Sequence, residues 1–324
     1  MIYIKFEKGQ GLGNQLWNYA VLRSIANFRS IDYKVLNIEN FKGKKFLDID
    51  ETNNPNIKTI EEDLEFAYEE LFYDKKLETI SSDYDRSIID IKDNSLLKGI
   101  FQSEEYLIPN KNIINDFIKI KPNLNFQMDW DKICILNLRG GEYKRHKNLI
   151  LPKSYWTNAI NNIKKINSNL IFKIVTDDEK YAEKFLPEVE ILRGNIEADF
   201  YNIYNAKYII VSNSSFSYFP INLGSTPKIV IAPLYWSRFG NKYNRWSSPS
   251  NFYKDWLWQD DSGKILSHKK VLKTLIDTRS EFKKYNIRFK YDFLETKNKN
   301  SYVLIKIKKF FKYLLSILFP LKYG

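Results

Sequence analysis

Apolar positions along this chain of 324 residues fall into short runs, with stretches of helical period between them. Ile2 to Phe6 predicts a first strand, and a helical pattern begins at Asn14, after a turn holding Gly9, Gly11 and Gly13. The next hundred residues are less regular. Residues 48–59, rich in Asn and Asp, predict a loop, and 64–77 are acidic, aromatic and helix-like. Residues 98–107 predict an aromatic-bearing strand or turn, and 121–131, with Pro122, a crossing between domains. From there the alternation is regular. Ile133–Leu138, Leu170–Thr176, Val189–Leu192, Tyr208–Ser212 and Lys228–Ala232 predict buried strands. Ser154–Ile166, Glu179–Phe185, Ala198–Asn205 and Ser215–Leu223 predict the helices between them. Strands alternating with helices imply a parallel sheet covered on both faces, with ligands beyond the carboxyl ends of its strands. The expected division is a first domain at 1–130, a second at 131–270 and a C-terminal extension at 271–324.

Composition narrows the class. At 44% hydrophobic and 16% aromatic, the chain has the apolar area for a substantial core despite 28% charge. Its single cysteine, Cys134, sits within an apolar run and predicts a buried, inert thiol, with no disulfide to be made inside one chain. Met1 to Lys5 lacks the basic start and apolar stretch of a signal peptide, and no run of about 20 apolar residues predicts a membrane span. A cytoplasmic location is the expectation. The net charge of +12 is concentrated at the end: from Lys297 onward there are seven lysines and no acid, leaving 44 basic against 39 acidic groups before it. Nucleic-acid binding by the whole chain therefore loses its electrostatic support. On a helical wheel of 303–321, Lys306, Lys308, Lys309 and Lys312 share one sector and most apolar residues the other. That is a basic amphipathic helix, suited either to an anionic membrane surface or to packing against a protein.

Candidate chemistry gathers at turns and strand ends. Gly11, Gly13 and Asn14 lie where a backbone can approach an anion at a helix N-terminus, or where two elements pack closely. Asn14 stands where a dinucleotide fingerprint needs its third glycine. Arg139 leaves the end of the Ile133–Leu138 strand beside Gly140 and Gly141: a bidentate phosphate ligand or a surface ion pair. Asp177 and Asp178 close the next strand, as helix caps, ligand contacts or a metal-binding pair. Asp199 and the run Asn213-Ser214-Ser215-Phe216 stand at helix starts, where capping and anion binding use the same groups. With only His146 and His268, most histidine-based metal sites are excluded.

Read as whole strings, four stretches resemble the α-1,2-fucosyltransferase family. Gly11-Leu12-Gly13-Asn14-Gln15, an aromatic at Trp17 and Tyr19-Ala20 resemble its N-terminal signature. Residues 98–107 resemble its "GYFQSEKYF" stretch. Asn137-Leu138-Arg139-Gly140-Gly141-Glu142-Tyr143 resembles "HxRRGDY", and 199–219 its block ending "SNS(T/S)FSWW". The resemblance implies an α/β, GT-B-like, two-domain glycosyltransferase with Rossmann-like halves, followed here by the basic amphipathic helix. It implies transfer of fucose from GDP-β-L-fucose to a glycan or lipid-linked acceptor with inversion, most simply α-1,2 to galactose in surface polysaccharide synthesis, without a metal. By the match, Arg139 holds the pyrophosphate and Asp199 reads the guanine edge. Gly11, Gly13, Asn14, Asn137, Asp177, Ser214, Ser215 and Phe216 surround the donor, and Glu142 is a catalytic carboxylate. The departures are Asn137 for the family's histidine, Gly140 for its second arginine and Glu142 for its aspartate. They leave open another GDP-sugar, or a non-catalytic membrane-associated protein on the same scaffold. The expected enzyme works docked on the inner face of the membrane.

Overall fold

A computed structural model describes residues 1–290 apart from 57–60, 75–78, 123–127, 225, 237–251 and 286. The predicted amphipathic helix at 303–321 lies outside the described residues. The first half opens with β1 (Ile2–Lys5), α1 (Leu12–Arg29) and β2 (Tyr33–Leu36). β3 (Leu47–Asp48), β4 (Glu65–Tyr68), β5 (Glu70–Asp74), β6 (Thr79–Ser82), β7 (Ser95–Lys98), α2 (Ile114–Phe117) and β8 (Lys119–Ile120) follow. Its main sheet is parallel, in the order β2-β1-β7-β4. Here the expectation of a helix over 64–77 is overturned: the segment forms β4 and β5. Glu65-Phe66-Ala67-Tyr68 runs parallel to β7, and β5 pairs antiparallel with β6. Aromatic residues interleaved with polar ones suit an edge strand, and tertiary pairing outweighs the helical preference of the acids.

The second half follows the predicted alternation closely. It runs β9 (Ile133–Leu138), α3 (Lys153–Ile166), β10 (Ile171–Thr176), α4 (Glu179–Phe185), β11 (Glu190–Ile191), α5 (Ile196–Asn205), β12 (Tyr208–Val211), α6 (Tyr218–Asn222), β13 (Ile229–Pro233) and β14 (Leu257–Gln259). These strands form one parallel sheet in the order β11-β10-β9-β12-β13-β14. The predicted helix at 215–223 divides into a tight turn, Ser215–Ser217, and α6. The chain then returns to the first half: α7 (His268–Tyr285) brings Arg279 onto Asp83, and β15 (Ile287–Lys290) pairs with β5.

Alternation along β9 explains how the layers stack. Cys134, Leu136 and Leu138 face α3, whose Tyr155, Trp156, Ala159 and Ile163 cover them. Ile133 and Ile135 face the other way, into a core that includes Phe200 and Ile203 of α5, Tyr218 and Phe219 of α6, and residues of the first half. Cys134 is fully buried, and burial pushes its thiol up, out of the reactive range.

α1 lies at the centre of that shared core. It is buried over most of its length, Gln15, Asn18 and Ser24 included, and Leu16, Trp17, Ala20, Val21, Leu22 and Ile25 are inaccessible to solvent. It ends at Ser30, whose left-handed backbone (φ 54°) lets its N–H bond the carbonyls of Ala26 and Asn27. Trp17 lies 4.3 Å from the Tyr218 ring and 6.0 Å from that of Tyr253, centroid to centroid. Tyr253, Trp256 and Trp258 are all buried, so this part of the C-terminal aromatic stretch packs as core. Removing the Trp17 ring would cost about 3–5 kcal/mol and loosen the two halves from each other.

Candidate active site

The site begins with strand register. In the β9–β10 pair Leu138 stands opposite Thr176, so the residues that leave the two strands, Arg139 and Asp177, emerge side by side. Arg139 Nη1 lies 3.0 Å from Asp177 Oδ2, with side chains 23% and 27% exposed. The other oxygen, Oδ1, accepts the Gly140 N–H at 2.9 Å. The guanidinium lies 5.5 Å from the centre of the Tyr143 ring, and its Nε is buried without a partner among the described residues. Asp177 therefore orients the arginine. Capping of α4 falls to Asp178 instead, whose carboxylate accepts the Tyr181 N–H at 3.1 Å and pairs with Lys144.

Both glycines after Arg139 are required by close packing. A Cβ on Gly140 would meet the Tyr181 ring at 2.6 Å and Asp178 at 2.9 Å; one on Gly141 would run into Asp177 Oδ2. The position where the resembling family carries a second arginine is thus closed by Tyr181. Asn137 is 2% exposed, with its Oδ1 buried and unpartnered among the described residues. Glu142 opens the turn Glu142–Arg145, exposed and without a hydrogen bond or ion pair among the described residues.

Asp199 occupies the first turn of α5, facing the same end of the sheet. The helix is capped by Asn195, whose side chain accepts from Glu197 and Ala198 N–H, so the capping role open for Asp199 is not its own. Its carboxylate makes no hydrogen bond among the described residues. Burial, with the nearby Asp177 and Glu179 carboxylates, pushes it up to about 7, while Arg139 pulls the other way. A groove of about 380 Å³ lies between the N-terminus of α5 and the loop that carries Lys42, Lys44 and Lys45 in the first half.

The remaining predicted residues meet at one junction. Ser214 caps the turn Ser215–Ser217 through the Phe216 N–H. Ser215 Oγ donates to Asn14 Oδ1 at 2.9 Å, and a Cβ on Gly13 would lie 2.6 Å from the Ser215 carbonyl carbon. Gly13 is therefore where the α1 backbone meets the Ser215 backbone directly, beside the Trp17 packing. Gly11 has open space around it, and Phe216 packs edge-on to Phe200. The hydroxyls of Ser214 and Ser215 thus already serve the protein's own turn and junction. Three participants were not singled out from sequence. Tyr143 donates to the Asn213 carbonyl at 2.9 Å, burial pushing its phenol up to about 12. Gln102 donates to Asn14 Oδ1 at 2.8 Å, and Glu104 accepts from the Tyr218 hydroxyl at 3.0 Å. Only the "FQSE" stretch, as a motif, could have pointed to the last two.

Two α/β halves, each with a parallel sheet and with polar residues at the strand ends between them, make a GT-B-like fold. Comparison with known proteins agrees in class. Over 259 residues the chain is 26% identical to the α-1,2-colitosyltransferase of Escherichia coli, a match covering 70% of this chain and 89% of that protein. No protein-family model matches. Among solved structures, the fucosyltransferase NodZ from Bradyrhizobium overlaps with a TM-score of 0.41 at 13% identity, over 67% of this chain and 90% of that one. The E. coli heptosyltransferase WaaC with ADP overlaps at 0.37 and 10% identity, over 86% and 100%. These overlaps are loose, and the fold class rests on the topology itself. The chain is a glycosyltransferase.

Proposed function

We propose that this enzyme moves L-fucose from GDP-β-L-fucose to a hydroxyl of a glycan or lipid-linked oligosaccharide, with inversion, forming an α-1,2 link to a galactose-type unit in surface polysaccharide synthesis. The observation that carries the reading is Arg139, held by Asp177 at adjacent strand ends, over the Tyr143 ring and with its Nε unpartnered among the described residues. As the sugar departs, negative charge grows on the diphosphate, and a preorganised guanidinium stabilises that charge in the transition state more than in the ground state. Asp199, as a carboxylate, accepts from guanine N1–H and the exocyclic amine together, which adenine cannot offer. Gly11, Gly13 and Asn14 close over the donor from the first half, with Ser214, Ser215 and Phe216 beneath. Asn137 supports that floor. Glu142, exposed in the turn after Arg139 and without an ion pair among the described residues, takes the acceptor's proton.

A second reading is favoured by the colitosyltransferase relative: a GDP-linked colitosyl donor in place of fucosyl. Colitose lacks the 3-hydroxyl of fucose, so the two donors differ by one hydrogen-bonding group. Hydrolysis without acceptor, measured across GDP-fucose, GDP-colitose, GDP-mannose, UDP-galactose and CMP-sialate, separates these readings. The account expects turnover of a GDP-6-deoxyhexose, undiminished by EDTA because Arg139 meets the charge. Turnover confined to UDP- or CMP-sugars would defeat it. We further propose that the lysine-rich segment 303–321 docks the enzyme on the anionic inner face of the membrane, where lipid-linked acceptors lie. Among the described residues no helix is long and apolar enough to cross a membrane.

A further inference from the structure

We infer that Glu69 is a positioning residue: it fixes the backbone of residues 98–103 so that Gln102 can hold Asn14 against Ser215, latching the first half onto the second. The latch serves a donor site only if the proposed function holds; the geometry of the latch stands without it. Glu69 sits between β4 and β5, where the chain passes from the parallel sheet to the antiparallel one, and none of it is exposed. Its Oε2 accepts the N–H of Ile100 at 2.6 Å and of Phe101 at 2.9 Å, and its Oε1 accepts the Tyr106 hydroxyl at 3.2 Å.

The segment wrapped round this carboxylate could not hold its shape unaided. Phe101 is in the left-handed region, at φ 53°, which disfavours a bulky side chain. A Cβ on Gly99 would lie 2.6 Å from Glu69 Cβ and 2.5 Å from the Phe101 ring. The two amides captured by Glu69, those of Ile100 and Phe101, lead straight into this left-handed residue. Gln102 follows at once, 7% exposed, and its Nε2 reaches Asn14 Oδ1 at 2.8 Å. That same oxygen receives the Ser215 hydroxyl at 2.9 Å. One buried acceptor therefore sets the bend, the bend sets Gln102, and Gln102 orients the amide that Ser215 meets from the other half.

A carboxyl group is a costly choice here. Burial pushes Glu69 up to about 8, with Asp85 adding to that and the Ile100, Phe101 and Tyr106 donors opposing it. Tyr106 is itself fixed, accepting the Asp85 N–H at 2.9 Å. An apolar residue would avoid the cost of burial but would leave two buried N–H groups unpaired.

Hydrogen exchange on the full chain tests the latch. Glu69→Ala and Gln102→Ala should each speed exchange at residues 12–18 and 214–219 by roughly tenfold. Glu69→Gln, which keeps an acceptor oxygen for the two amides, should restore slow exchange. If Glu69→Ala does not fold, Glu69→Asp withdraws the acceptor by one methylene and should act in the same direction. Faster exchange confined to 66–74 and 98–107, with 12–18 and 214–219 unchanged, would overturn the proposal. GDP affinity, measured separately by calorimetry, tests the donor reading: wild-type protein that fails to bind GDP would remove that reading and leave the exchange result standing.

Discussion

The two halves bring polar groups to the cleft by opposite means. In the second half the assembly is local: parallel register sets Leu138 opposite Thr176, so Arg139 and Asp177 meet as neighbours without help from elsewhere. In the first half the turn at Gly11 to Asn14 carries no charged side chain. It is held by Gln102 and Ser215, which lie 88 and 201 residues from Asn14. Charge is thus built into one sheet, and closure depends on contacts between distant segments. A substitution at Arg139 should damage chemistry without damaging the fold, whereas one at the turn should damage both.

The largest expected effect tests the local side. Arg139→Ala should lower turnover by at least about 100-fold while the unfolding midpoint moves little, because the ion pair lost is partly solvated. Near-normal turnover would separate Arg139 from the reaction. On the closure side, two glycines two residues apart should behave differently. Gly13→Ala drives a methyl into the Ser215 backbone and should cost about 1–3 kcal/mol in denaturant unfolding. Gly11→Ala meets open space and should be close to neutral. Equal effects would contradict the placement of α1.

Asp199 should give a smaller, pH-dependent effect. Guanine needs the carboxylate, and with the group pushed up to about 7, GDP should bind roughly tenfold more weakly at pH 6 than at pH 8. Asp199→Asn should bind weakly at both. Because the folded-state value is raised, the stability tied to this group is present in acid and lost as pH rises through about 7. The Asn variant should therefore gain on the wild type in thermal unfolding at pH 8 and lose that gain near pH 4. The smallest effect belongs to the cap: Asp178→Ala should cost about 1 kcal/mol, and the same change at Asp177 should instead free Arg139.

The sequence was readable where burial dictates a simple pattern. β9 and α4 fall at their expected bounds, and β10, β12 and β13 within a residue or so, because strands of a largely covered parallel sheet, β9 and β12 buried throughout, appear as short apolar runs between helical periods. The segment 64–77 was misread because its acids and aromatics fit a helix face as well as an edge strand. The same pattern hides Glu69, one of several acids in that segment. Arg139 was visible from its place at a strand end; its pairing with Asp177 was not, since sequence does not disclose which strands are neighbours. The same holds for Gly13, whose reason for being glycine is a backbone atom two hundred residues away.

The central claim is that the Arg139 guanidinium receives the nucleotide's diphosphate. Calorimetric titration of the full chain with GDP and with guanosine tests it most directly. The account predicts that wild-type protein binds GDP at least about 100-fold more tightly than guanosine, and that in Arg139→Ala the two affinities converge. An Arg139→Ala protein that keeps the full preference for GDP would contradict it.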